Sequence, residues 1–376
     1  MKTLKGISYI ALATVFLCVF LYFAIGPKDA REAFAFTFVS GSRVKFVSGA
    51  KVTSDAATGL ITGYSTHPPS SDPALATYYH QLLAAGANYQ RTDLPWSSVQ
   101  STSSASYVWG SFDTLVNEAA SDGISTMLII DSTPSWAATS SCASGCAPVN
   151  AATVATFAAA AASHYCGKVS MWEFWNEPNN NSNFGPTSLA SDFTLDLNAS
   201  YTAMKAACPG ITIVSGALDS EFGTWNGTNW LTYTTQMLAD GATFDLFGVH
   251  PYTYSLNVND SFWGWCGTGN GVVCGTRTAL NSAGDSAKQI IVTEYGAPTC
   301  GPSAVSFANQ ENEAAAMIAT STGASAAFMN LYPLLFWYTL VDANSNDPST
   351  SQNCFGVYLT NGTPKPVYEV LRSNTH

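Results

Sequence analysis

The stretch VSMWEFWNEPNN, residues 169–180, decides how the rest of the chain is read. An apolar and aromatic run stops abruptly at Asn176-Glu177-Pro178. Short apolar runs bounded by turn residues read as buried strands. A carboxylate at the end of such a strand is costly unless it has partners or a task. Side chains at C-terminal strand ends have a task in one architecture above all, the barrel of parallel strands whose active site sits at that face.

The flanking sequence fits that architecture. Further strand-like runs lie at 59–65 (GLITGYS), 87–93 (ANYQRTD) and 125–131 (STMLIID) before the opening stretch, itself a strand over 169–175. Others follow at 211–217 (ITIVSGA), 244–250 (FDLFGVH), 289–295 (QIIVTEY) and 333–339 (PLLFWYT), which makes eight. Helical patterns separate them. In DPALATYYHQLLAAG, residues 72–86, Asp72 can cap, Pro73 suits the first helical position and Gly86 can end the helix. Leu75, Tyr78, Tyr79, Leu82 and Leu83 share one face there, and the Ala-rich 151–163 is a second helix. Alternating strands and helices predict parallel pairing with crossover helices, and eight such units predict a (β/α)8 TIM barrel. Glu177 and Glu294 are 117 residues apart, three units of 39 if they end strands four and seven.

Several strand ends carry chemistry-bearing residues: Arg91-Thr92-Asp93, Asn176-Glu177-Pro178, His250-Pro251-Tyr252, Thr293-Glu294-Tyr295-Gly296 and, on strand eight, Trp337. Two carboxylates across one barrel mouth can flank a glycosidic bond, one protonated to serve the leaving oxygen and one ionised to attack the anomeric carbon. We assign Glu177 as acid/base and Glu294 as nucleophile. Arg91 is expected to keep Glu294 ionised, Tyr252 to orient it, and His250 to bond a sugar hydroxyl or Glu177. Asn176 is expected to donate to a sugar 2-hydroxyl and Trp337 to form the floor beneath the reacting sugar. Trp136 and Trp96 are candidate sugar platforms, and His67 a candidate cleft residue. The bland alternatives are an Arg91–Asp93 surface pair, and core positions for His250, Tyr252 and Trp337. Asp219 is either a cleft residue or a cap. Glu173 is expected to face the helices, opposite to Trp172, with a buried partner. Asp131 and Asp342 read as loop residues, where Asp often caps or turns.

Composition limits what the chain can act on. Of its 376 residues only 10% are charged, against about 25% on average, and the formal net charge is −11. Fourteen Lys and Arg, thinly spread, leave no basic face for nucleic acid. Residues 7–26 form an uncharged apolar run behind Lys2 and Lys5. Its length matches a membrane span of about 20 residues and exceeds the usual signal-peptide core of about 7–15. Ala33-Phe34-Ala35 offers a downstream cleavage site, so residues 1–35 are either a cleaved signal or a retained anchor. Both place the remainder outside the cytoplasm. A lead-in spans 36–57 and the catalytic domain 58–376. Eight cysteines beyond Cys18 suggest disulfides in an exported chain. The pairing guessed is Cys142–Cys146, Cys166–Cys208, Cys266–Cys274 and Cys300–Cys354. Zinc is disfavoured, because no Cys-x-x-Cys or nearby His pair is present. Neither metal nor organic cofactor is required where two carboxylates suffice.

WEFWNEPN (172–179) with IVTEYG (291–296) resembles glycoside hydrolase clan A, the retaining barrel glycosidases. RTDLPW (91–96), TPSWA (133–137), VHPY (249–252) and GTPKPVYEV (362–370) make the chain most similar to family 39 across roughly residues 58–372. The resemblance implies the barrel, the same two glutamate roles and a polysaccharide or oligosaccharide substrate. It departs at Ser170 and Trp172, where the family pattern has Trp and Phe, and no appended β-sandwich is expected. These departures leave sister families such as family 5 open. The function expected is an exported retaining hydrolase of β-linked glycans, with endo attack favoured and a monomeric state. A transglycosylase on the same scaffold and an anchored, non-catalytic polysaccharide-binding protein are the alternatives.

Overall fold

The chain divides into residues 1–57 and 58–376. The computed structural model describes residues 60–373 except 70–73, 104–105, 140–144, 221–228, 255–257, 261–263 and 269–270. The apolar run at 7–26, the lead-in, Asp72, Pro73 and Cys142 lie outside the described residues.

Nine parallel strand segments close into a barrel with eight wall positions. They are β1 (Ile61–Ser65), β2 (Tyr89–Pro95), β3 (Ser125–Asp131), β4 (Met171–Phe174), β5 (Thr212–Val214), β6 (Leu218–Asp219), β7 (Leu246–His250), β8 (Gln289–Tyr295) and β9 (Leu331–Tyr338). The order runs β5-β4-β3-β2-β1-β9-β8-β7-β6, and β5 also pairs with β7. β5 and β6 share the fifth position, interrupted at Ser215–Ala217. At the break the backbone passes close to β4: a Cβ on Gly216 would lie 2.7 Å from the carbonyl oxygen of Phe174 and 3.0 Å from Pro178, so only glycine fits there.

Each wall position is followed by a helix that packs its apolar face on the sheet. The helix Ala74–Ala84 buries Leu75, Tyr78, Tyr79 and Leu82, and the chain leaves it through Gly86 at φ +78°, a conformation suited to glycine. The helix Ala151–His164 starts at Asn150, whose side chain accepts from the Ala152 N–H at 2.8 Å. Among the described residues no helix is long and apolar enough to cross a membrane.

Strand alternation sorts side chains into two cores. Met127, Met171, Val214, Leu246, Ile291, Leu334 and Phe336 fill the barrel interior. Leu128, Ile130, Trp172, Phe174 and Trp337 face the helices within the larger outer core. Three disulfides match the expected pairs: Cys166–Cys208, Cys266–Cys274 and Cys300–Cys354. Cys146 is disulfide-bonded to a partner outside the described residues. Asp342 is no bland loop residue. Its carboxylate takes a buried 2.7 Å ion pair from Lys365, which also donates to Thr299 and to the Cys354 carbonyl.

Candidate active site

The Asn-Glu-Pro segment leaves β4 by a backbone path that ordinary residues rarely take. Trp175 has φ +74° and Glu177 φ +46°. Left-handed conformations in non-glycine residues cost roughly 1–3 kcal/mol each and persist where surrounding contacts over-determine them. Those contacts are present. Trp175 donates its backbone N–H to Ile130 at 2.8 Å and its indole N–H to the Asn183 carbonyl at 2.7 Å. The Glu177 N–H bonds the Ala217 carbonyl at 2.9 Å. Asn179 exchanges two 2.8 Å bonds with the Asp219 backbone. The strand thus turns at its end and lifts Glu177 into the mouth.

Glu294 reaches the mouth by a different device. The register between β8 and β9 shifts between Val292 and Tyr295. Such a bulge lets two neighbouring side chains serve one face: Thr293 reaches Glu173 and His250 inside the barrel, while Glu294 lines the cleft. Tyr295 then returns to the outer core.

The two carboxylates have unlike company. Glu294 accepts from Arg91 Nη1 at 2.5 Å, Ser65 Oγ at 3.2 Å and Tyr252 Oη at 2.8 Å. Burial alone would raise its pKa, but the His250 and Arg91 charges and the Tyr252 and Arg91 hydrogen bonds outweigh it and take it down to about 2. Glu177 meets His250 Nδ1 at 3.0 Å and takes a long 3.4 Å bond from Asn183. Burial raises its pKa, and the bond and charge of His250 offset that only in part, with Asp219 and Glu294 pushing it further up. An oxygen of Glu177, an oxygen of Glu294 and a His250 ring nitrogen lie within 4.8 Å of one another. They are the one set among the described residues that could hold a metal ion, and His250, Tyr252 and Arg91 already satisfy the two carboxylates.

Beneath the pair lies a buried ion network. Arg91 is 1% exposed and donates Nε to Glu173 at 2.5 Å, Nη1 to Ser65 and Glu294, and Nη2 to Asn176 at 2.8 Å. Glu173 also accepts from the Ala217 N–H and from Thr293, both at 3.1 Å. This overturns the expectation that Glu173 faces the helices. Trp172 does so instead, against Tyr165, because Arg91 needs a carboxylate on the interior side of β4.

The remaining candidates divide. Asn176, Arg91, Tyr252 and His67 line the cleft, a cavity of about 430 Å³, together with Asp219. Asn176 turns its Oδ1 to Arg91. His250 is fully buried and reaches the mouth only through Glu177 and Glu294. Trp337 does not form the floor. It is fully buried on the outer side of β9, edge-on to Tyr295, because Phe336 takes the interior position. Tyr338 lines the cleft instead, with Phe355, Tyr252 and Tyr254. Trp136 lies edge-on to the buried Trp96 and donates to the Gln100 carbonyl, outside the cleft lining. Sequence reasoning passed over Ser65, Asp93, Asp131, Asn180, Tyr254, Tyr338, Gln352 and Phe355 as lining residues. For Asp131 a signal was present: it shares strand parity with Met127 and Ile129, the interior face of β3.

A closed parallel barrel carrying two differently tuned glutamates on opposite walls of its mouth defines the class, a barrel glycosidase. The chain belongs to the family described as Cellulase (glycosyl hydrolase family 5), whose model matches residues 51–333. Solved structures of similar fold include members of family 39 and of family 5. One is a family 39 glycoside hydrolase from Bacteroides cellulosilyticus WH2, at TM-score 0.64 and 20% identity, covering 85% of this chain. This chain spans 64% of that protein's length. Others are the GH5_18 protein of Streptomyces cattleya in complex with GlcNAc (TM-score 0.63, 12% identity, 84% of this chain and 79% of that one) and the endo-β-1,4-glucanase of Xanthomonas axonopodis pv. citri (TM-score 0.57, 15% identity, 84% and 99%). A search of curated proteins finds no match. The clan-level resemblance therefore holds, and family 5, kept open beside family 39, is the family whose model matches.

Proposed function

We propose that this chain is an exported retaining glycoside hydrolase that cleaves β-linked polysaccharide or oligosaccharide by double displacement. The observation that carries the reading is the carboxylate pair: oxygens of Glu177 and Glu294 within 4.8 Å, with one pKa pushed up and the other down to about 2. Retaining enzymes hold their carboxyl groups about 5–5.5 Å apart, whereas inverting enzymes need about 6.5–9.5 Å to admit a water between acid and base.

In the first step Glu294 attacks the anomeric carbon while Glu177 gives its proton to the departing glycosidic oxygen. A glycosyl ester forms on Glu294 and the leaving sugar departs as an alcohol. In the second step Glu177, now a carboxylate, takes a proton from water as that water attacks the anomeric carbon, and Glu294 leaves as carboxylate. Arg91 and Tyr252 hold the nucleophile ionised and oriented before the reaction, so no reorganisation is needed as charge develops. His250 holds Glu177 in place. Asn176, fixed by Arg91 at its oxygen, has its amide N–H groups for the sugar 2-hydroxyl.

Tyr338, Phe355, Tyr252 and Tyr254 give the cleft more than one aromatic face, which supports endo attack on a polymer. The apolar run at 7–26 and the three described disulfides support export, and a monomer suffices because one chain supplies both carboxylates. The test is product analysis on β-glucans, xylans, mannans and bacterial exopolysaccharides, with Glu294→Ala as control. Oligosaccharides from the wild type alone are the expected result. Polymer binding without products from either protein would overturn catalysis, and products of increased length would move the assignment to a transglycosylase.

A further inference from the structure

One part of the cleft lies outside this mechanism. Asp93 lies on the interior face of β2, two residues before its end, and Asp131 ends that of β3, on adjacent strands paired Asp93↔Ile129 and Pro95↔Asp131. Both carboxyls line the same cavity as Glu177 and Glu294. Asp93 has one ionic neighbour at the mouth, the exposed His67 at 3.6 Å. Asp131 is bonded by the Ser132 side chain, but its Oδ1 is buried and has no hydrogen-bond partner. Polar atoms inside a folded protein are nearly always satisfied, and one left open beside a cavity calls for an explanation. Burial, together with the neighbouring Asp93, pushes the Asp131 carboxyl well up. Burial does the same to Asp93, against the opposing pull of His67 and Arg91.

The opposite charge is in short supply. Among the described residues, Arg91 and His67 are the basic side chains on the lining. Arg91 is 1% exposed, and its three nitrogens are committed to Glu173, Glu294, Ser65 and Asn176. His67 already faces Asp93. Acidic groups, by contrast, include Asp93, Asp131, Glu177, Asp219 and Glu294. Recognition of a sugar carboxylate calls for a cation with free donors, such as a bidentate arginine. Here an incoming carboxylate would meet the ionised Glu294 in a partly desolvated wall, where like charges weigh most, and neither Asp93 nor Asp131 offers it a cation. A sugar hydroxyl suits the same wall, since it donates to one carboxyl oxygen and accepts from the other group when that is protonated.

We propose, building on the glycosidase reading, that Asp93 and Asp131 are specificity-determining residues that bind hydroxyls of an uncharged sugar and refuse a uronate. The low charge of the sequence pointed weakly the same way, but a cleft arginine could have reversed it. The arginine is there, but it is buried and four of its five N–H groups are already bonded to Glu173, Ser65, Glu294 and Asn176, so it does not.

The test sets matched soluble oligomers side by side: β-1,4-glucan with β-1,4-glucuronan, and β-1,4-mannan with β-1,4-polymannuronate. Xylan and β-1,3-glucan are added as neutral substrates. Wild type, Asp131→Asn, Asp93→Asn and Glu294→Ala are assayed by reducing-end release, with thermal unfolding of each variant as the check on folding. The expected result is cleavage of at least one neutral oligomer at about 100-fold or more the rate on its uronate counterpart, a gap of two tenfold steps in transition-state binding. Asp131→Asn narrows that ratio by about tenfold. Because the ratio is taken within one protein, a loss of folded fraction does not move it. Should only one of the two variants fold, the other carries the comparison.

Uronate cleavage by wild type within tenfold of the best neutral oligomer, absent in Glu294→Ala, would overturn the inference and leave the hydrolase standing. An unchanged ratio in both Asp variants would also overturn it. No cleavage of any oligomer by wild type would overturn the hydrolase reading and this inference with it.

Discussion

The end of β4 and the end of β8 each deliver a glutamate to the same mouth, and they do so in contrasting ways. At β4 the backbone turns through left-handed residues, and Glu177 is left with one good partner, a histidine that is itself buried. At β8 a bulge delivers Glu294 into three donors, one of them a guanidinium. Both side chains are partly sheltered, 20% and 12% exposed. Burial raises both carboxyls, so it is not what separates them. The separation comes from the charge behind the wall: Arg91 sits under Glu294, braced on its far side by Glu173. One residue type thus supplies one carboxyl held up and one held down, and the charge behind the wall decides which is which.

Breaking the anionic side should do the most damage. Glu294→Ala should lower kcat by about 10⁴-fold or more, as when a unit of covalent catalysis is removed, read as loss of oligosaccharide release with polymer binding retained. Glu177→Gln should cost about 10²–10⁴-fold on natural polymer, the usual worth of general acid–base help. Its pH signature is more telling. The raised Glu177 must be protonated to act, so wild-type activity is present below its pKa and lost as pH rises through it. Glu177→Gln, assayed on an aryl glycoside whose leaving group needs no proton, should lack that alkaline limb.

Tyr252→Phe sharpens the comparison from the other side. Removing a hydrogen bond to a charged group costs about 1.5–3 kcal/mol, roughly 10–150-fold in kcat/KM at 1.36 kcal/mol per decade. Glu294 would lose part of what holds it near pKa 2, and the acid limb of the pH profile should move upward. Glu294 also ties folding to pH. Its folded pKa is depressed, so its stabilising contribution is present above its unfolded value and lost as pH falls toward about 2; the variant should unfold in acid at a higher pH than wild type. The smallest effect belongs to an aromatic pair. Tyr338→Ala should raise KM several-fold by removing a stacking face worth about 1 kcal/mol, whereas Trp337→Phe, behind the wall, should shift thermal stability and leave KM unchanged.

Much of this was legible in the sequence, for a physical reason. Eight apolar runs at barrel spacing can bury themselves only by closing, and carboxylates at two strand ends are too costly to be incidental. Arg91 and Tyr252 were placed beside Glu294 from their strand-end positions alone, and three of the guessed disulfide pairs are present. What failed was which side of a strand a residue faces. Glu173 was expected to face the helices, opposite to Trp172, yet the space between sheet and helices takes the large Trp172 ring and the barrel interior pairs Glu173 with Arg91. The same error put Trp337 under the substrate, where Tyr338 lies one residue on. Left-handed φ values at Trp175 and Glu177 and the shift in β8 break the two-residue period there, and neither break leaves a mark in residue types. The fifth strand's interruption was likewise hidden, since only the packed structure shows Gly216 against the Phe174 carbonyl.

The central claim is that Glu294 attacks carbon rather than activating water, and the configuration of the first product tests it. Proton NMR of a β-linked oligosaccharide digest, recorded before mutarotation, distinguishes the two cases. The account predicts that the β-anomer appears first and relaxes to the equilibrium mixture. The α-anomer appearing first would mean that a water fits between the carboxylates, and would contradict the double displacement built on Glu177 and Glu294.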